Sequence, residues 1–140
     1  MIISTADSSG GLFGYIGENS VVKNSKLIVS EGQLIKGFNS VGGIVGEHHG
    51  ILEQCSVVLD HESQAKLDAN IMDNSYDTGY MHLFDMTEGE PYYVVSVGGL
   101  AGYSENGAII DSYNKVNVVI EIPTGSNHKI EWDRENACFM

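Results

Sequence analysis

Gly10-Gly11-Leu12-Phe13-Gly14, Gly42-Gly43-Ile44-Val45-Gly46 and Gly98-Gly99-Leu100-Ala101-Gly102 are three copies of one glycine pentad. Self-similarity of this kind is the signature of a repeat architecture, and it takes precedence over local propensity. The copies start at positions 10, 42 and 98, which reads as one repeat length followed by nearly two. The residues after each pentad recur as well: a polar turn, an apolar pair, a small polar residue and a strand. In the first copy the pair and polar residues are Val21-Val22 and Asn24-Ser25; in the second, Ile51-Leu52 and Gln54-Cys55-Ser56; in the third, Ile109-Ile110 and Asp111-Ser112. The third strand places Val116, Val118, Ile120 and Ile122 on one face and Asn117 and Glu121 on the other. That is period two, the pattern of a strand rather than a helix.

Short strands joined by sharp corners, repeated at a fixed period, predict an all-β fold. The expected form is a short parallel β-solenoid (β-helix) of about three to five turns, folded as one domain over residues 1–140. Glycine at the corners reaches positive φ without a Cβ clash, and glycines at equivalent positions let neighbouring backbones approach closely. The central apolar pair of each pentad is expected to face partly inward. The recurring Asn, Ser and Asp are expected to stack and satisfy backbone groups at the corner. Residues of about 61–90 are acidic and irregular, and read as a lateral insertion with a short helix near Glu62 to Ala69 or a hairpin. The tail of about 124–140 reads as a C-terminal cap, because an uncovered end strand pairs with other chains and invites end-to-end self-association.

These residues resemble GLUG repeats, units of bacterial surface proteins that include adhesins and the non-catalytic parts of immunoglobulin A-cleaving metallopeptidases. Val41 and Val97 precede the pentad, and Tyr15 and Tyr103 come directly after it, as in the family pattern. The family's closing segment is matched by Asn74-Ser75-Tyr76-Asp77-Thr78-Gly79, which has no pentad of its own and reads as the remnant of a degenerate turn. The resemblance covers about two thirds of the chain. It implies a non-catalytic structural or adhesive module of an extracellular or cell-surface bacterial protein, binding host protein or glycan or acting as a spacer, within a longer chain.

Charge narrows the partners. Against 19 Asp and Glu stand 7 Lys and Arg, for a net charge of -12. A surface of that sign repels phosphate backbones and anionic lipid heads, so neither nucleic acid nor membrane insertion is expected. Cys55 and Cys138 read either as unpaired thiols or as a disulfide tying the tail to the middle turn; spacing does not choose.

No catalytic set assembles in the sequence, and no enzyme activity, cofactor or metal is expected. His48, His49 and His61 with Glu47 and Asp60 could be drawn as a metal cluster, but adjacent histidines do not easily face one ion. His61-Glu62-Ser63-Gln64-Ala65 opens like a zinc-peptidase motif, yet Ala65 stands where the second His would be. Carboxylate pairs such as Asp60 with Glu62, Glu88 with Glu90 or Asp133 with Glu135 carry the alternative, a glycan-active enzyme with carboxylates on a lateral face. The binding candidates are Tyr76, Tyr80, Phe84, Tyr92 and Tyr93, aromatic residues of the insertion that could stack on sugar rings or hold a protein partner.

Overall fold

The structure, a computed structural model, describes residues 1–30, 32–69, 80–87 and 96–121, together with the backbone of two short strands in the tail. Among the described residues the chain is all-β with one short helix, and it runs in successive rounds of five strands. The first round holds β1 (Ile2–Ile3), β2 (Ser8–Gly10), β3 (Phe13–Ile16), β4 (Val21–Lys23) and β5 (Lys26–Val29). The second holds β6 (Gln33–Gly37), β7 (Ser40–Gly42), β8 (Val45–His48), β9 (Ile51–Glu53) and β10 (Ser56–Leu59). After helix α1 (His61–Asp68) the third holds β11 (Tyr80–Asp85), β12 (Ser96–Gly98), β13 (Ala101–Ser104), β14 (Ala108–Ile110) and β15 (Tyr113–Asn114). Strand β16 (Asn117–Glu121) returns to the side of β11, and β17 (Trp132–Asp133) and β18 (Cys138–Phe139) lie in the tail.

Each strand pairs with its counterpart in the next round, so the sheets are ordered β1-β6-β11-β16, β17-β18-β12-β7-β2, β13-β8-β3, β14-β9-β4 and β15-β10-β5. The pairings are parallel throughout the rounds; β18 runs antiparallel to both β12 and β17. The topology is solenoid-like. Gly10 faces Gly42, and Gly42 faces Gly98, in one register across three strands. Gly11 donates its N–H to the Gly43 carbonyl at 2.9 Å, and Gly43 donates to the Gly98 carbonyl at 3.0 Å.

The pentad glycines serve close approach. A Cβ on Gly43 would collide with the Gly99 carbonyl oxygen, and one on Gly46 with the Ser9 amide nitrogen. The expectation of positive φ at these glycines is corrected. Among the described glycines only Gly32 has positive φ; the left-handed conformation is otherwise taken by Asn39 (61°) and Asn106 (56°) and, once per round at one corner, by Asn24 (52°), Gln54 (53°) and Asp111 (48°). The last three are the recurring polar residues after the apolar pair. Asn tolerates this conformation because its short polar side chain can bond locally. Beside the second corner, the Ser112 hydroxyl accepts from the Cys55 amide at 3.0 Å, so the polar residues do satisfy backbone groups there.

The interior is filled by Val29, Ile35, Val41, Ile44, Leu52, Val57, Met81 and Leu83, all buried. Cys55 lies among them as a free thiol. Two further expectations are corrected. Tyr80–Asp85, assigned to the lateral insertion, is a sheet strand between β6 and β16, because Met81 and Leu83 alternate into the core. Strands β7 and β12 pair directly, so among the described residues no additional round stands between the second and third pentads; Asn74–Gly79 lies outside the described residues.

Helix α1 begins as a capped element. Asp60 Oδ1 accepts from the Ser63 amide and Oδ2 from the Ser30 hydroxyl, each at 2.6 Å. Those bonds, the Ser30 bond foremost, hold the Asp60 carboxyl down at about 2. A carboxylate accepting from N3 is the ordinary N-cap arrangement.

Candidate functional site

The sheet of β3, β8 and β13 lines up one residue of each round: Tyr15 opposite Glu47 and Glu47 opposite Tyr103. One step on, Ile16 faces His48 and His48 faces Ser104. Register alone therefore brings two tyrosines to either side of a carboxylate.

His49 completes the group. Its Nε2 lies 2.6 Å from Glu47 Oε1, and its Nδ1 lies 3.0 Å from the backbone carbonyl oxygen of Glu105. Both partners are acceptors, so these contacts favour the imidazolium, in which both ring nitrogens carry hydrogen. The Glu47 bond, with help from the Glu105 carbonyl, accordingly raises the His49 pKa above the usual 6.5. The ring is flanked by Tyr15, with centroids 5.4 Å apart, and by Tyr103 at 6.2 Å edge-on. Glu47 is held on its other oxygen by the Ser8 hydroxyl at 3.0 Å. The Tyr103 hydroxyl donates to Glu105 Oε2 at 2.8 Å, which raises the tyrosine pKa.

His48 has the opposite surroundings one residue earlier. It is wholly buried, with Nδ1 3.0 Å from the Ser104 hydroxyl and Nε2 making no hydrogen bond among the described residues. Burial pushes its pKa down, the neighbouring His49 charge pushes it further, and the nearby Gly50 backbone offsets this only in part. It is a neutral core residue. Adjacent histidines thus shift in opposite directions, because His48 is buried without a charged partner while His49, just past the end of the strand, meets Glu47 and the Glu105 carbonyl.

The sequence candidates fare unevenly. His61 starts α1 and Asp60 caps it, so neither joins Glu47 and His49. No group of three His, Cys, Asp or Glu side chains suited to a metal ion occurs among the described residues. Phe84 is half-buried with the Lys36 ammonium 5.0 Å from its ring centroid, and it lies on a different sheet from Tyr15. Tyr80 opens β11, while Tyr76, Tyr92 and Tyr93, like Glu88 and Glu90, fall outside the described residues. Sequence reading missed Tyr15, Tyr103 and Glu105 as a group with Glu47 and His49. The available signal was the position after each pentad, occupied by Tyr, Glu and Tyr in turn.

Comparison with known proteins gives two kinds of match. Residues 94–119 match the family model described as the GLUG motif. Two inorganic pyrophosphatases of Neisseria meningitidis, from serogroups A and B, are each 68% identical over 25 residues, 18% of this chain. The chain spans only 14% of the length of those relatives. No solved structure matches. The stretch that matches the family model contains the third pentad, β13 and the Asp111 corner, and the chain therefore carries a GLUG-repeat segment.

Proposed function

We propose that the chain is a non-catalytic repeat module of an extracellular bacterial protein. It is read as a short parallel β-solenoid with a lateral insertion and a C-terminal cap, binding host glycan or protein through the face of β3, β8 and β13. The observation that carries this is the convergence of Tyr15, Tyr103, His49, Glu47 and Glu105 on one face built from all three rounds. Tyrosine rings supply apolar faces for sugar stacking and a hydroxyl for hydrogen bonding, and carboxylates accept from sugar hydroxyls. The chain's net charge of -12 favours neutral over anionic glycans. The GLUG motif supports the surface-protein setting.

The carboxylates on this face favour binding over hydrolysis. Each oxygen of Glu47 already holds a donor, Ser8 on one and His49 on the other, so it is an occupied acceptor rather than an acid with a proton to give. A glycan-active enzyme remains the second reading, on the strength of Glu47 and Glu105 sharing one face.

The test is a titration of the chain against an array of neutral oligosaccharides, beside the double variant Tyr15→Ala, Tyr103→Ala. Removal of both rings is expected to weaken binding at least about tenfold, an aromatic contribution of roughly 1.4 kcal/mol or more. Unchanged binding would sink the assignment to this face and return attention to Tyr76, Tyr80, Phe84, Tyr92 and Tyr93. Incubation with polysaccharides and with pyrophosphate is expected to yield no product, and turnover of either would remove the non-catalytic reading.

A further inference from the structure

We propose that His49 is the positioning residue of the Tyr15 and Tyr103 face: it seats the two rings for a neutral oligosaccharide only while both of its ring nitrogens donate, so affinity at this face falls as pH rises. The proposal rests on the reading of that face as a glycan-binding surface and names what regulates it. The His49 side chain is 14% exposed while Tyr15 is 58% exposed, so the imidazole lies beneath rings that meet solvent. A ligand stacked on the tyrosines therefore feels His49 through them. The Tyr15 hydroxyl makes no hydrogen bond among the described residues, and its ring contact is with His49. Tyr103 is fixed twice, by its hydroxyl on Glu105 at 2.8 Å and by its edge contact with His49.

Two acceptors set the seat of the imidazole. Nε2 lies 2.6 Å from Glu47 Oε1, and Nδ1 lies 3.0 Å from the Glu105 carbonyl oxygen. Backbone bonds hold the bridge at both ends: the His49 amide donates to the Ile16 carbonyl of the first round at 2.8 Å, and the Glu105 amide to the His48 carbonyl at 3.1 Å. With its partners fixed, the ring is the part that answers the loss of a proton. A neutral imidazole has one N–H and one lone pair, so deprotonation sets a lone pair against either Glu47 or the Glu105 carbonyl. The ring must then turn from one of them, and either turn changes its contact with the tyrosines. The titratable groups that face His49 are Glu47 on β8, Glu105 beyond β13, Tyr15 on β3, Tyr103 on β13 and His48 before it in the chain. Tyr103 is raised and His48 lowered from their ordinary values while His49 is raised, so His49 releases its proton at a pH separated from both.

The experiment is a pH titration of the whole chain from about pH 5.5 to about pH 8.5, across the ordinary histidine value, read in two ways. In the ligand-free chain, NMR signals of the Tyr15 and Tyr103 rings are expected to move with the same midpoint as the His49 ring. The second reading uses three neutral probes, cellohexaose, maltohexaose and chitohexaose. The affinity of any that binds is expected to fall about fivefold or more as pH passes that midpoint, the lower end of coupling between two sites. His49→Gln, with one donor nitrogen for two acceptors, is expected to hold affinity at the parent's high-pH level. His49→Arg, whose planar guanidinium donates at every pH and stacks on aromatic faces, is expected to restore tight binding without pH dependence. Far-UV circular dichroism checks that both variants fold, and the parent's titration stands without either. Tyrosine signals that ignore the His49 midpoint, or a measured affinity that does not change with pH, would overturn the proposal. Absence of binding by every probe at every pH would instead overturn the glycan reading of the face, and the ring signals then decide the positioning role alone.

Discussion

The first and second rounds carry the same pentad and live in different surroundings. In the second, Ile44 and Val45 are 0% exposed, whereas in the first Leu12 and Phe13 are 40% and 38% exposed. The side chains are of similar size and hydrophobicity, so the difference lies in neighbours: among the described residues β6 to β10 are covered on both sides and β1 to β5 on one. In a stacked repeat the energetic value of a residue is set by how many rounds flank it. The apolar pair, expected to face partly inward in every pentad, is accordingly buried in the second and third copies and exposed in the first.

The glycines should break this comparison most sharply. Gly14 and Gly46 are the fifth residues of their pentads, yet a Cβ on Gly46 would run into backbone of the first round, while one on Gly14 would sit 3.0 Å from the Ser8 carbonyl oxygen. Gly46→Ala is expected to cost about 3 kcal/mol or more, and Gly14→Ala about 1 kcal/mol or less. Urea midpoints at a common slope measure both. Equal losses would show that the two rounds are not energetically distinct.

The apolar pair should give the next effect. Ile44→Ala leaves a cavity in a filled interior and is expected to cost about 3 kcal/mol, against under about 1 kcal/mol for Leu12→Ala, which removes a partly solvated side chain. A Leu12 loss as large as that of Ile44 would mean that Leu12 is covered in solution.

The smallest effect concerns pH. His49 uses both neighbouring rounds, stacking on Tyr15 below and bonding to the Glu105 carbonyl above; its counterpart one round earlier is Gly17, which has no side chain to do either. A histidine pKa raised on folding stabilises fully below the unfolded value near 6.5, and this contribution is lost as pH rises through the folded value. His48 works in the other direction: its lowered pKa withdraws stability as pH falls below 6.5, because the unfolded chain takes up the proton first. His49→Gln is expected to lower the melting temperature in mildly acidic buffer, by the equivalent of about 0.5 kcal/mol, and to change little once the pH exceeds the raised folded value. A loss that is the same at all pH values would contradict the charged His49–Glu47 pair.

Much of the fold was legible in the sequence because repetition is a pattern of spacing. The three pentads and the alternating residues of β16 follow from periodicity; near Glu62 to Ala69, where the sequence left a short helix or a hairpin open, the structure has helix α1 capped by Asp60. Strand β11 was hidden because its apolar residues Met81 and Leu83 are separated by His82 and lie in an acidic stretch, so only pairing with β6 and β16 reveals them. The role of glycine was half legible. Close approach was anticipated, but the positive φ at Asn24, Gln54 and Asp111 is a property of backbone path, which composition does not report. The site was least legible of all. Tyr15, Glu47 and Tyr103 are separated by 32 and 56 residues, and they become neighbours only once the register is known.

The junction after Leu59 has a practical consequence. Between β10 and β11 the chain departs through α1 and comes back, and the strands before and after it remain in the same register as those of the uninterrupted round below. Loop closure costs grow only slowly with length, so extra residues at a surface corner are tolerated well. This corner is accordingly a splice point, where a foreign peptide could be carried as cargo without retuning the scaffold that displays it.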